Sequence, residues 1–211
     1  MAVGDLIIRS HGGANAVPNA GSQLKAQWDT ADHQFGAFTY GGGEFSLAAG
    51  KYLVLYAGYF NTGDTTNNER VEIQGSIHTV SGGVQGGYGQ GFIRKSSGDQ
   101  DAVVRGQMIL TLASAEDVFI EFERTDDSTT GTVDWNYGAV AIVELDDAHD
   151  FASYTRGSSQ STSGTTVLTY GLDNNEEEDT DFSRSGSVVT VTGAGRYLVT
   201  YSLRIDQGAT G

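Results

Sequence analysis

Gly50-Lys51-Tyr52-Leu53-Val54-Leu55-Tyr56 returns later in the chain as Gly195-Arg196-Tyr197-Leu198-Val199-Thr200-Tyr201. In both copies a glycine opens a run with Tyr, Val and Tyr at every second position, the spacing of a strand with one face on a core. Working outward, Glu44-Phe45-Ser46-Leu47 matches Val188-Val189-Thr190-Val191, Phe38 matches Phe182, and residues 5–9 loosely match 150–156. The offset is about 145 residues throughout, which sets the size of one domain. A first domain is expected over residues 1–146, its first 20 residues (apolar, then rich in Gly, Ala and Asn) suited to an anchoring arm. The second copy starts near Asp147, so residues 147–211 carry only the first strands of a second, incomplete unit. Two readings stay open: the natural chain continues, or a neighbouring chain completes the half unit.

Across the first domain, strand-like runs rich in Val, Ile, Tyr, Phe and Thr follow one another, separated by Gly, Asn, Asp and Ser clusters. They cover residues 6–8, 23–28, 34–39, 44–47, 51–60, 70–80, 89–95, 102–112, 118–124 and 133–145. Many alternate: Val118, Ile120 and Phe122 are expected inward, with Phe119, Glu121 and Glu123 outward. No stretch has a capped helical period. Many short strands and no helix predict an all-β, antiparallel sandwich or barrel.

Composition narrows the function. The 211 residues carry a formal net charge of −15, which repels phosphate backbones and anionic membranes and so argues against direct nucleic-acid or membrane binding. There is no cysteine, hence no disulfide framework and no thiolate metal site. The N-terminal apolar run is too short for a secretory signal or a membrane helix.

The order of motifs resembles the tumour necrosis factor and complement globular-head jelly rolls, in the version common among bacteriophage and other viral surface proteins. The residues that carry the resemblance are Gly50, Tyr52, Val54 and Tyr56, then 88–94, 106–112, 116–120 and 137–145. Ala115-Glu116-Asp117 departs from it, since the family has Gly before Asp there. The resemblance implies a jelly-roll β-sandwich that forms a homotrimer, with aromatic rings of one sheet about a threefold axis. Tyr52, Tyr56 and Tyr137 are the candidates for that interface; each also fits the core of its own chain, with its hydroxyl bonded at the edge.

No catalytic constellation stands out, and the chain is expected not to be an enzyme. His11, His33, His78 and His149 are scattered without metal-site spacing. The serines form no nucleophile elbow. The glycines of 82–91 precede a strand rather than a helix, so they read as a flexible hairpin loop and not as a phosphate cradle. The carboxylates Glu121 and Glu123 read as outward and solvated. Asp126, Asp127 and Asp134 are weak candidates for a structural calcium site, since hard cations want six to eight oxygens, but ordinary turn composition explains them as well. No other cofactor is expected.

The leading expectation is a structural subunit on the outer surface of a virion: a capsid decoration, turret or head-fibre protein. Its partners would be its own copies and a major capsid or other virion protein. The alternative is a receptor- or glycan-binding head, with Trp28, Tyr88, Trp135 and Tyr137 stacking on sugar rings.

Overall fold

A computed structural model of the protein describes residues 5–18, 22–62, 70–94, 101–125, 132–145, 152–155, 174–178, 181–186, 188–193 and 199. The chain divides into two compact units, one of residues 1–145 with 201–211 and one of residues 146–200. All regular structure among the described residues is strand.

The first unit holds β1 (Leu6–Val17), β2 (Gln23–Lys25), β3 (Thr30–Phe35), β4 (Thr39–Gly41), β5 (Glu44–Leu47), β6 (Gly50–Asn61), β7 (Arg70–Thr79), β8 (Gly83–Arg94), β9 (Asp101–Leu112), β10 (Glu116–Arg124) and β11 (Val133–Leu145). They form two antiparallel sheets, β3-β1-β11-β6-β9 and β4-β5-β10-β7-β8, with β2 beside β10. Apart from the β4–β5 and β7–β8 hairpins, the chain changes sheet at each step. That order is a jelly roll, which covers two inner faces with one meandering chain.

Period two decides which side chains fill the space between the sheets. Tyr52, Val54, Tyr56 and Phe60 of β6 face Val118, Ile120 and Phe122 of β10, all within 4% of full burial. Each such side chain contributes roughly 1.5–3 kcal/mol on leaving water. Phe122 is the centre of an aromatic cluster, with ring centroids 4.9 Å from Phe60, 5.8 Å from Tyr56 and 5.5 Å from Trp135. Trp135 in turn meets Trp28 edge to face at 5.1 Å.

Of the glycines read above as a flexible hairpin loop, all but Gly82 are instead part of strand β8. They have a packing task. A Cβ on Gly89 would stand 2.1 Å from the carbonyl oxygen of Arg105, and one on Gly106 would stand 2.1 Å from that of Gly87. Strands β8 and β9, the edges of opposite sheets, therefore press backbone against backbone and close one side of the sandwich. Only hydrogen side chains allow that distance. β3, with the sequence TADHQF, also differs from the expected 34–39 strand. Among the described residues it pairs only with β1, at the end of its sheet, so its side chains need no apolar period.

The second unit contains β12 (Ala152–Thr155) paired with β13 (Asn174–Glu178), and β14 (Phe182–Ser185) paired with β15 (Val188–Val191).

Candidate functional site: an apolar outer face

The parity that buries Tyr52, Val54 and Tyr56 sends Leu53, Leu55, Ala57 and Tyr59 to the outside of the first sheet. Register then lines up the neighbours. Val143 pairs with Leu53, Ala141 with Leu55 and Tyr137 with Tyr59 on β11; Leu6 and Ile8 of β1 extend the first two rows. On the other side Ile109 pairs with Leu53 and Val103 with Tyr59. Most of these positions are half-buried in the single chain, and Tyr137 is 63% exposed. The Tyr59 and Tyr137 rings lie 6.0 Å apart. A hydrogen bond with the Asp101 carboxylate, before any effect of burial, pushes the Tyr59 phenol above its usual pKa. At the β8–β9 edge next to this face, Tyr88, Phe92 and Val103 are each about half exposed.

A protein that turns one face of a five-stranded sheet outward ordinarily covers it with charge. Here the outer positions of both central strands are aliphatic or aromatic over most of their length. A strand apolar on both faces belongs between two layers, so this face has the character of an interface. The signal was in the sequence, since residues 51–60 and 137–145 are apolar at consecutive rather than alternate positions.

Of the expected interface tyrosines, only Tyr137 lies on this face. Tyr52 and Tyr56 are 1% and 4% exposed inside the sandwich, where their hydroxyls donate to the carbonyls of Ala48 at 3.1 Å and Gly87 at 2.9 Å. Their assignment to an interface is therefore corrected: they are core residues because they share parity with Val54. Burial raises the pKa of both phenols, more so for Tyr56.

The polar candidates separate in space. His11 is buried against Trp135, the rings stacked at 3.9 Å. Its Nδ1 lies 2.6 Å from an oxygen of Asp29 and its Nε2 lies 2.6 Å from the carbonyl oxygen of Gly13. His33 is exposed on β3. His78, on the outer face of the second sheet, stacks on Phe119 with Nε2 2.8 Å from the Ser76 hydroxyl and 3.4 Å from Glu121. Burial lowers the His78 pKa. Burial, then Glu123, raises that of Glu121, while Lys25 opposes them. Glu121 was expected to be solvated; its side chain is only 12% exposed because the imidazole of His78 lies against it and strand β2 pairs alongside. Ser76 and Glu121 both approach the same nitrogen of His78. A charge-relay triad needs its members on opposite ring nitrogens, so this cluster is a satisfied polar patch.

Asp134 lies half-buried on β11, whereas Asp126, Asp127 and His149 fall outside the described residues. Among the described residues no three His, Cys, Asp or Glu side chains gather as metal ligands would. Trp28 and Trp135 are fully buried and cannot stack on a sugar, while Tyr88 and Tyr137 are open to solvent.

No protein-family model matches the chain, and no curated protein sequence matches it. Among solved structures, the globular domain of a zebrafish complement 1qA protein is similar over 67% of this chain and 96% of its own, at 14% identity and a TM-score of 0.46. Murine APRIL is similar over 66% of this chain and 99% of its own, at 8% identity and a TM-score of 0.42. The Eiger TNF of S. frugiperda is similar over 69% and 96%, at 14% identity and a TM-score of 0.41. These are likenesses of fold, and the jelly-roll assignment of the first unit stands on its own strand order.

Proposed function

We propose that this chain is a non-enzymatic structural module that assembles as a homotrimer and is displayed on the outside of a virion as a decoration, turret or head-fibre subunit. The observation that carries the assembly is the apolar outer face of the first sheet, centred on Leu53, Leu55, Val143 and Tyr137, in a chain of net charge −15. Two different patches are available: that face, and the β8 edge with Tyr88 and Phe92. When the edge of one copy meets the face of the next, the contact is heterologous, and a heterologous contact whose rotation closes makes a ring. Three copies would bring the Tyr59–Tyr137 rows about a common axis and cover the open sheet edge.

The position on a particle is supported by the tandem β units, the acidic charge and the lack of a catalytic grouping among the described residues. The receptor- or glycan-binding reading keeps one observation in its favour, the exposed rings of Tyr88 and Tyr137, and loses both tryptophans.

Sedimentation equilibrium of the purified chain tests the assembly. A species three times the 22.3 kDa monomer is expected, and a monomer at micromolar concentration overturns it. Co-sedimentation with empty capsid shells, beside a glycan array, tests the location. Binding to shells supports decoration; binding to one glycan and to no shell replaces it with the receptor reading.

A further inference from the structure

Gln74 donates its side-chain amide to Glu123 at 3.3 Å and accepts one from Gln90 at 3.0 Å. Register puts Gln23 in the same row, opposite Glu123. Gln23, Glu123, Gln74 and Gln90 thus line up across β2, β10, β7 and β8, a width of about 14 Å at the usual strand spacing. The row lies on the outer face of the second sheet, because the adjacent residues Ile73 and Phe122 are 0% exposed and side chains alternate along a strand. Tyr88 and Phe92 stand two residues either side of Gln90 and turn outward with it, whereas a Cβ on Gly89 or Gly91 would meet β9. The two rings are 56% and 49% exposed. Four residues of strand separate their attachment points by about 13 Å.

We infer that this strip of the second sheet binds a neutral oligosaccharide. A sugar ring presents C–H faces, which pack on the negative face of an aromatic ring. Its rim carries hydroxyls, which donate to carboxylates and exchange hydrogen bonds with side-chain amides. Two open rings beside a row of amides and a carboxylate offer both contacts. The row is bonded within itself, so its polar atoms are held in place before a ligand arrives and lose little freedom on binding. Charge narrows the class. Glu72, Glu121 and Glu123 share this face with Lys25, and Lys25 is paired with Glu44, so a sulfated or carboxylated sugar is repelled. The outer face of the first sheet has no such row: around Tyr137 and Tyr59 its paired positions are mostly aliphatic. The site rests on the glycan-binding reading, which it narrows to one sheet, and not on the position on a particle. In the homotrimer, a contact made through the β8 backbone edge leaves both rings open on the outer face.

Isothermal titration of the full chain with neutral hexasaccharides of glucose, mannose and galactose, beside a sulfated heparin hexasaccharide, tests the site. Sedimentation of each variant runs in parallel. One neutral series is expected to bind and heparin is not. Tyr88→Ala, Phe92→Ala and Gln74→Leu are each expected to raise Kd about tenfold, the loss of one good contact, with the oligomer intact. Tyr137→Ala is expected to leave Kd unchanged. No binding of any neutral series overturns the site, whatever the glycan array shows for charged sugars. Binding that Tyr137→Ala abolishes and Tyr88→Ala spares keeps the glycan reading and removes this site. Tighter binding of heparin overturns the neutral ligand. Loss of the oligomer in Tyr88→Ala or Phe92→Ala assigns the rings to the contact between copies and likewise overturns the site.

Discussion

The hydroxyl of Tyr56 donates to the carbonyl oxygen of Gly87 at 2.9 Å, tying β6 of one sheet to β8 of the other. The bond crosses the side of the sandwich where β8 and β9 touch, and Gly106 sits beside it: a Cβ there would lie 2.3 Å from the Tyr56 hydroxyl. Tyr56→Phe removes one buried donor and leaves the carbonyl in place, so a loss of about 1 kcal/mol is expected. Gly106→Ala forces backbone apart from backbone and is expected to cost more, about 3 kcal/mol. Chemical denaturation of both variants checks the order, and a Gly106→Ala protein as stable as the parent would contradict the close approach.

The face that holds Leu55 and Tyr137 is expected to serve assembly rather than folding. Leu55→Asp with Tyr137→Asp places charge where copies would meet, yet both positions point away from the intrachain core. The expected result is a monomer by sedimentation with a β-sheet circular dichroism spectrum like the parent's. A variant that still forms the same oligomer would remove this face from the interface.

His78 and Glu121 respond to acid in opposite senses. Burial lowers the His78 pKa, so the folded state binds fewer protons than the unfolded one just below the ordinary histidine value of 6.5, and stability falls as pH falls through that window. Burial raises the Glu121 pKa, so just above the ordinary carboxylate value of 4.5 the folded state binds more protons, and stability rises as pH falls there. His78→Asn is therefore expected to flatten the loss of thermal stability as pH falls through about 6.5, while Glu121→Gln is expected to remove the gain as pH falls toward about 4.5. Melting curves at several pH values decide; unchanged slopes in His78→Asn would show that the imidazole is not the acid-sensitive group.

Trp135 joins three parts of the fold: it stacks on His11, meets Trp28 edge to face and contacts Phe122. Its indole N–H also donates to the Tyr137 carbonyl at 2.9 Å, where β11 is bulged against β6. Trp135→Ala is expected to cost about 3–5 kcal/mol, and Trp135→Phe distinctly less, because it keeps the ring contacts and loses the hydrogen bond. Equilibrium denaturation monitored by far-UV circular dichroism measures both.

Much of the sandwich was legible because a strand's side-chain period is two, and period two is visible in any linear text. Val118, Ile120 and Phe122 announced their inward face, and the recurrence of Gly50–Tyr56 at Gly195–Tyr201 announced a second unit. The sequence by itself thus determined the all-β class, the parity of the long strands and the repeat. Two things only the tertiary structure decided. Which tyrosines face outward depended on pairing with the opposite sheet, so Tyr52 and Tyr56 went to the core and Tyr137 to the surface. The glycines of 82–91 looked like a loop until β9 came within backbone contact of them, since a close approach between segments distant in sequence leaves no local signature.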